Sequence, residues 1–197
     1  KAIYLEERWK VSDTWQVNTG LRYDEHNRYG EELTPKVALN KKVNDDSNVY
    51  VSWGKVFKAP TVDQLYYRTG LPDMPAGNPD LNPEKGDVWT LGANTKIGEK
   101  TELAASVYYC DIDNAIDWFP DANGDYRPTN VDRQKKRGME VMLNHNLNDN
   151  VKLNASYTYV NVKEDMDSHG YLRDYNYMHN VYRIGSNYQD GKWDSNI

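Results

Sequence analysis

The stretch WQVNTGLRY, residues 15–23, places apolar or aromatic residues at most of its odd positions and polar residues at most of its even ones. The same rule holds over VKLNASYTY, residues 151–159, and recurs in MEVMLN, residues 139–144, with one exception at Met142. Successive side chains of a β-strand point to opposite faces of a sheet, whereas a helix repeats every 3.6 residues. The period of two therefore predicts strands with one apolar and one polar face.

Extending this pattern along the 197 residues predicts about ten antiparallel strands, most of them as long as the roughly 9–11 residues of a tilted membrane-spanning strand. The predicted strands are 2–11, 14–24, 34–44, 48–58, 87–97, 101–116, 128–146, 150–163, 176–189 and a truncated one from 192. Short turns alternate with long connections near 24–34, 59–86, 117–128 and 164–175, and all eight prolines lie in or one residue beside these connections. Short turns at one end and long loops at the other are typical of outer-membrane barrels.

The composition separates this chain from ordinary soluble domains and from disordered chains. Only 38% of the residues are hydrophobic and the mean hydropathy is -0.93, whereas a soluble domain usually carries about 45–50% apolar residues. The 16 Tyr and 6 Trp argue against disorder and fit a protein that meets a membrane interface, where an aromatic ring with a polar tip is stable. The net charge of -6 argues against nucleic acid as a partner.

These observations predict an all-β fold, in which the strands form part of an antiparallel transmembrane β-barrel with an apolar outer face and a polar lumen face. The predicted lipid-facing residues are Trp15, Val17, Leu21, Tyr23, Val37, Leu39, Val151, Leu153, Ala155, Tyr157 and Tyr159. The predicted lumen-facing residues are Gln16, Asn18, Arg22, Lys36, Asn40, Glu140, Lys152, Asn154 and Ser156. A passive porin or adhesin barrel and a soluble secreted β-sheet binding domain stay open as alternatives.

Two stretches contain specific sequence motifs in addition to the alternation of apolar and polar residues. The first runs YVSWGKVFKAPTVDQLY over residues 50–66 and, after a gap, GNPDLNPEKG over residues 77–86; the second is NVDRQKKRGMEV over residues 130–141. In this order they resemble the barrel motifs of TonB-dependent outer-membrane receptors. The matching residues, which we expect to have structural roles, are Phe57, Lys58, Ala59, Pro60, Gly77, Asn78, Pro79, Leu81, Pro83, Glu84, Asn130, Gly138 and Glu140. The match is looser near His179, where Tyr177 stands in place of the family's proline.

The resemblance implies that residues 1–197 are part of a plugged barrel of about 22 strands, without the plug domain and the C-terminal strands. It implies energy-coupled uptake, across the outer membrane, of a metal chelate such as a ferric siderophore, or of cobalamin or haem. The TonB complex would act through the plug domain. The expected surroundings are outer-membrane lipid and lipopolysaccharide, and the spacing of the motifs looks most like the vitamin B12 and catecholate-siderophore branches.

Exposed aromatic and cationic side chains in the long connections are the candidates for contact with the cargo, because aromatic faces and guanidinium groups suit a bulky anionic chelate. They are Tyr66, Tyr67, Arg68, Trp118, Tyr126 and Arg127. The four His are scattered without metal-ligand spacing, and no nucleophile–base arrangement or phosphate loop is evident. The sequence therefore predicts a protein that is not an enzyme and that needs neither a resident metal nor a cofactor.

Overall fold

The computed structural model describes residues 1–67, 77–120, 124–165, 172–173 and 178–197. It contains the strands β1 (Ala2–Lys10), β2 (Trp15–His26), β3 (Gly30–Lys42), β4 (Ser47–Lys58), β5 (Glu84–Ile97), β6 (Thr101–Pro120), β7 (Tyr126–Asn146), β8 (Val151–Asp165), β9 (Leu172–Arg173), β10 (Asn180–Gln189) and β11 (Asp194–Asn196), and the helix α1 (Val62–Tyr66). Neighbours along the chain pair antiparallel from β1 to β8 and on through β10 to β11, while β9 pairs with β8. Among the described residues this sheet does not close into a ring, and no helix there is long and apolar enough to cross a membrane.

The all-β antiparallel fold is thus confirmed, but two of the predicted long connections are wrong. Strands β2 and β3 continue to His26 and from Gly30, so residues 24–34 form a hairpin with a tight turn. Strands β6 and β7 likewise pair up to Pro120 and Tyr126. The alternation fades in these extensions because lipid no longer faces one side of the hairpin, although the backbone pairing of an antiparallel ladder continues.

The prolines also correct the sequence analysis, which placed them in or beside connections. Pro35 lies within β3 opposite Leu21, and Pro128 lies within β7 opposite Trp118. Proline lacks a backbone N–H and is tolerated in a sheet where a ladder hydrogen bond is dispensable. Pro35 fits that rule, because the pairing of β3 with β4 is recorded only from Lys36 onward.

The strand register aligns apolar side chains into continuous rows on one face. One row joins Leu91, Val107, Met139 and Tyr159 across β5, β6, β7 and β8. Leu91 and Val107 are exposed in this chain, as expected for a surface that meets lipid instead of a protein core. Hereafter this is the outer face, and the predicted lipid-facing residues lie on it.

Aromatic side chains bound the outer face toward the end that carries the longer hairpins. The rings of Trp53 and Trp89 lie opposite each other with centroids 6.1 Å apart, and the Trp53 Nε1–H donates to Asp87 Oδ1 at 2.8 Å. The Tyr109 hydroxyl donates to Asp111 Oδ2 at 3.2 Å. These polar tips point away from the apolar rows, which is the orientation that a ring adopts at a membrane interface.

The opposite end has its own aromatic boundary near the short turns. Lys41 Nζ lies 5.0 Å from the ring centroid of Trp15, and the Tyr188 hydroxyl donates to Asp190 Oδ2 at 3.0 Å. The outward-facing Lys41, an exception to the apolar pattern, is therefore located at an interface rather than at mid-height. Two aromatic boundaries with apolar rows between them are what a membrane-spanning sheet requires.

The other face is polar and carries ion pairs, one within a strand and one that crosses an intervening strand, and glycines beneath aromatic rings. Lys36 pairs with Glu6, and Arg22 pairs with Asp24 at 2.6 Å. A Cβ added at Gly138 would lie 2.5 Å from the ring of Tyr108 on the facing strand. Glycine at this motif position therefore makes room for a tyrosine on the lumen face.

Candidate functional site

Helix α1 opens the irregular part of the molecule and begins with a capping box. The Thr61 hydroxyl accepts from the Gln64 backbone N–H at 3.2 Å, and the Gln64 side chain accepts from the Thr61 N–H at 2.9 Å. This reciprocal pair satisfies two backbone donors that a short helix leaves without internal partners. The helix turns Leu65 inward, where it is buried.

The motif glycine returns the chain to this helix. Gly77 N–H donates to Tyr67 O and Asn78 N–H donates to Gln64 O, both at 2.8 Å. A Cβ at Gly77 would lie 2.5 Å from the backbone carbon of Leu65, which no rotamer change could relieve. Glycine is therefore required where the segment packs against the helix backbone.

Two motif asparagines join this segment to the hairpin of β6 and β7. Asn78 Nδ2 donates to Pro128 O at 3.0 Å. Asn130 accepts from Asn82 N–H at 2.8 Å, and its Nδ2 donates to Asn82 O at 3.0 Å and to Asn114 O at 2.7 Å. Asn114 itself has a φ of 55°, a conformation that asparagine tolerates better than most residues. The side chain of Asn130 thus replaces the strand ladder between two segments that are far apart in sequence.

Glu84 closes the arrangement from the start of β5. Its Oε1 accepts from Ile116 N–H at 2.7 Å, and its Oε2 lies 3.0 Å from Lys58 Nζ. The carboxylate is mostly buried while Lys58 is half exposed, so the ion pair contributes no more than about 1 kcal/mol. Its greater role is to satisfy the backbone N–H of Ile116, which lies beyond Asp113, the last residue of β6 that pairs with β5.

Buried apolar side chains lie inside these hydrogen bonds. Leu65 and Leu81 are 7% and 2% exposed, and burying a leucine contributes about 1.5–3 kcal/mol. We call the assembly the loop hub; its members are Pro60, Leu65, Gly77, Asn78, Leu81, Pro83, Glu84, Asn114, Pro128 and Asn130. Asn130 of the second stretch thus bonds to Asn82, which lies within the first stretch 48 positions earlier in the chain.

The remaining motif residues lie around or below the hub. The ring of Phe57 has Lys85 Nζ 5.8 Å from its centroid, Ala59 is half-buried beside Pro60, and Pro79 O accepts from Arg28. Gly138 and Glu140 lie farther down β7 on the lumen face, with Glu140 opposite Ser106 and Thr158. They therefore belong to the regularly paired strands of the sheet, hereafter the wall, and are not members of the hub.

The candidate cargo residues fall into two groups on either side of the hub. Tyr66 and Tyr67 are exposed at the end of α1, and the Tyr66 hydroxyl accepts from Arg28 Nη1 at 3.0 Å. Trp118 and Tyr126 are exposed on the β6–β7 hairpin, opposite Pro128 and Pro120. Asn78 links the two segments that carry these groups, because its backbone N–H bonds to α1 and its side chain bonds to the hairpin.

Arg127 is half-buried opposite Phe119 on that hairpin, so it is less available to a cargo than the sequence suggested. Arg68 lies outside the described residues. Sequence reasoning missed Arg28, which connects the β2–β3 hairpin to both Tyr66 and Pro79. Nothing local to its position signals contacts 38 and 51 residues away. It also missed the capping box, although Thr61 and Gln64 have the spacing of that motif.

Groups of three or more His, Cys, Asp or Glu that could hold a metal ion do not occur among the described residues. The described chemistry of the hub is that of a scaffold, with amide and carboxylate side chains satisfying backbone groups. What it presents outward are aromatic rings and hydroxyls. This arrangement can bind by stacking and hydrogen bonding.

An antiparallel sheet with apolar rows between two aromatic boundaries, and with hairpins joined by a hub at one end, defines a β-barrel protein of the outer-membrane class. The family model described as "TonB dependent receptor-like, beta-barrel" matches residues 1–197, and the chain therefore belongs to the TonB-dependent receptors, which are outer-membrane proteins.

Relatives agree with this membership. The chain is 29% identical over 174 residues to a vitamin B12 transporter, BtuB, of Photobacterium profundum, with 83% of this chain and 26% of the relative covered. It is 32% identical over 132 residues to a probable TonB-dependent siderophore receptor, PirA, of Acinetobacter baumannii, with 60% and 16% covered. The solved structure of the copper transporter OprC superposes with a TM-score of 0.75 at 20% identity, over 99% of this chain and 34% of that one. The chain thus spans about a quarter or less of the length of these curated relatives.

Proposed function

We propose that this chain is the cargo-capturing part of a TonB-dependent transporter, and that its cargo is a bulky metal chelate such as a ferric siderophore, or cobalamin or haem. In this proposal the extracellular loops bind the chelate, and the TonB complex energises import through a plug domain elsewhere in the protein. Outer-membrane lipid and lipopolysaccharide surround the barrel.

The loop hub is the observation that carries the proposal. It connects the segment that follows α1, where Tyr66 and Tyr67 are exposed, to the β6–β7 hairpin, where Trp118 and Tyr126 are exposed, through side-chain hydrogen bonds of 3.0 Å or less. A rigid aromatic surface loses little conformational entropy when it binds a planar or ring-rich ligand. The names of relatives, which include a vitamin B12 transporter and a siderophore receptor, support the same cargo class.

The test uses the full-length receptor in cells, with a radiolabelled ferric catecholate, cyanocobalamin or haemin as the probe. We expect one of these to be taken up and an uncoupler of the proton-motive force to abolish that uptake. Uptake that persists in the uncoupler would favour a passive pore instead.

Binding by the purified receptor then tests the aromatic surface. Trp118→Ala and Tyr126→Ala should each weaken binding of the chelate about 3–10-fold, the loss of one aromatic contact. Tyr66→Phe removes the hydroxyl bonded to Arg28 and keeps the ring. It therefore distinguishes the contribution of ring stacking to binding from that of the hydrogen bond to the β2–β3 hairpin. Tyr188→Ala, at the opposite aromatic boundary, is the matched control and should leave binding unchanged. Equal binding by all four variants would show that these loops do not form the cargo site.

A further inference from the structure

We infer that Arg28 is a positioning residue for cargo binding, which orients the hydroxyl of Tyr66 so that this hydroxyl donates a hydrogen bond to an anionic oxygen of the cargo. A carboxylate, a phosphate or a catecholate can supply that oxygen. Arg28 acts through Tyr66 and does not itself contact the cargo. The inference rests on the proposed function and deepens it, because it names one donor and the chemical group that this donor recognises.

The tip of the β2–β3 hairpin extends past the regularly paired wall. Strand β3 pairs with β2 as far as Gly30, but its pairing with β4 begins only at Lys36. Residues 30–35 therefore have no ladder on the side of β4, and side chains span the gap instead. Arg28 bonds to Tyr66 and Pro79, and Glu32 pairs with Lys85 of β5. The position of the tip beside the loop hub thus depends on a few side-chain contacts.

The side chain of Arg28 is held in place by its neighbours in the turn. Its Cζ lies 5.5 Å from the ring centroid of Tyr29, and its backbone N–H donates to His26 Nδ1 at 3.2 Å. The rings of His26 and Tyr29 lie with their centroids 4.9 Å apart. A guanidinium that packs over an aromatic face loses less freedom when it forms hydrogen bonds than one that extends into water. The guanidinium is therefore preorganised toward the hub.

The direction of the hydrogen bond between Arg28 and Tyr66 follows from their chemistry. A guanidinium has donors only, so Nη1 donates to the Tyr66 hydroxyl oxygen at 3.0 Å, while Nη2 donates to Pro79 O. The Tyr66 oxygen acts as the acceptor, which leaves its own proton to be donated. In the part of the chain that the structure describes, this proton has no acceptor. A hydroxyl that accepts from a cation is polarised and becomes a stronger donor.

The position of Tyr66 makes this donor accessible to a ligand. Tyr66 is 57% exposed and ends helix α1, where the Tyr67 N–H donates to Asp63 O at 3.0 Å. A hydrogen bond with one ionised partner is about twice as strong as one between neutral groups, so an anionic oxygen is the acceptor that fits best. Ferric catecholates, cobalamin and haemin each carry such an oxygen, as catecholate, phosphate and carboxylate groups.

The experiment measures association and dissociation rates of the purified full-length receptor with a ferric tris-catecholate, cyanocobalamin and haemin. For the probe that binds, Tyr66→Phe should weaken binding about 10-fold, the loss of one hydrogen bond to a charged group, mainly through faster dissociation. Arg28→Met should weaken it about fivefold. In the Tyr66→Phe background, Arg28→Met should change binding less than twofold, because its effect passes through the hydroxyl.

Arg22→Met is the matched control. It removes the same charge from the same hairpin, at a residue that pairs with Asp24 within β2, and should change binding less than twofold. Association rates should be alike in the Arg22 and Arg28 variants, because a cation that steers an anionic cargo by direct attraction would change the association rate. Additive losses in the double variant of Arg28 and Tyr66 would show that Arg28 contacts the cargo itself and would overturn the inference.

A second readout separates a donor from a support. Replacement of Tyr66 by 3-fluorotyrosine, at a pH where the hydroxyl stays protonated, makes the hydroxyl a stronger donor and a weaker acceptor. If Tyr66 donates to the cargo, binding should tighten about twofold. If the hydroxyl only supports the hairpin by accepting from Arg28, binding should weaken, and that result would overturn the inference.

The same measurements distinguish failure of this inference from failure of the proposed function. A receptor that binds a probe and loses affinity with Trp118→Ala, but not with Tyr66→Phe or Arg28→Met, would overturn the inference and leave the proposed function intact. A receptor that binds none of the three probes would overturn the proposed function, and the role of Arg28 would fall with it.

Discussion

The wall of the sheet and the loop hub are held together in different ways, although they share strands β6 and β7. In the wall, every strand pairs with its neighbour in an unbroken register, and side chains only decide which face meets lipid. In the hub, side chains add to the ladder: Asn78, Glu84 and Asn130 bond directly to backbone groups of Pro128, Ile116 and Asn114. The wall is therefore sensitive to polarity on one face, while the hub is sensitive to the identity of a few side chains.

The largest effect is expected from a charge on the lipid side of the wall. Val141→Arg places a guanidinium among the apolar rows of β7, where a cation costs about 2–4 kcal/mol near the bilayer midplane. Met142→Arg, the adjacent residue on the lumen face, is the control and should cost little, because it is half exposed on the polar side. Denaturant unfolding of the full receptor in vesicles measures both. If the two variants lost the same stability, the two faces of the wall would have to be reassigned.

The second prediction addresses the hub. Asn130→Ala removes three hydrogen bonds that link the Asn82 and Asn114 backbone to β7, each worth about 0.5–1.5 kcal/mol. The stability of the wall should change little, because the register below Arg133 does not depend on this side chain. Local opening around residues 77–84 should increase, and proteolysis of intact cells should cleave there about 10–100-fold faster.

Asn146→Ala, exposed at the other end of the same strand, supplies the control for this experiment. It should leave the cleavage rate unchanged. A variant Asn130→Ala that unfolded globally at lower denaturant, with no local increase in cleavage, would show that hub and wall form one cooperative unit.

This contrast explains which features the sequence could predict. The faces of β2 and β8 follow from alternation alone, because lipid imposes one rule on every outward residue, and Trp15 to Tyr23 obey it. Beyond the bilayer that rule ends, which is why the alternation predicts a loop where β6 and β7 in fact extend past Ile116 and before Pro128. Pairing there is set by partners on the next strand, which local residues do not reveal.

The hub was predictable as a set of residues but not as a geometry. The resemblance of the two motif stretches identified Asn78, Glu84 and Asn130, yet their roles depend on contacts 32 to 50 residues away. Arg28 carries no motif and makes contacts over a similar separation. Side-chain-to-backbone bonds of this kind have no period, and a period is what a single sequence displays best.

The smallest expected effect concerns a short turn at the opposite end of the wall. Asp190 Oδ1 accepts from the backbone N–H groups of Lys192 and Trp193 at 3.0 and 2.9 Å. These backbone donors hold the pKa of the Asp190 carboxyl below its ordinary value, with the Tyr188 hydroxyl adding to them. The turn's stabilisation by this charge is therefore fully present above the ordinary carboxyl pKa and is lost as the pH falls through the lowered pKa of the folded state.

NMR of the full receptor in micelles can follow the amide protons of Lys192 and Trp193 through this titration. Both should shift upfield together as the carboxyl is protonated, with a midpoint below that of an ordinary aspartate. In Asp190→Asn the amide oxygen can still accept while the titration is gone, so the pH dependence should disappear and the turn should stay closed. Loss of the turn in that variant would mean that the charge, rather than the acceptor geometry, holds it. The short turns would then depend on side-chain chemistry as strongly as the hub does, and the distinction between wall and hub would narrow.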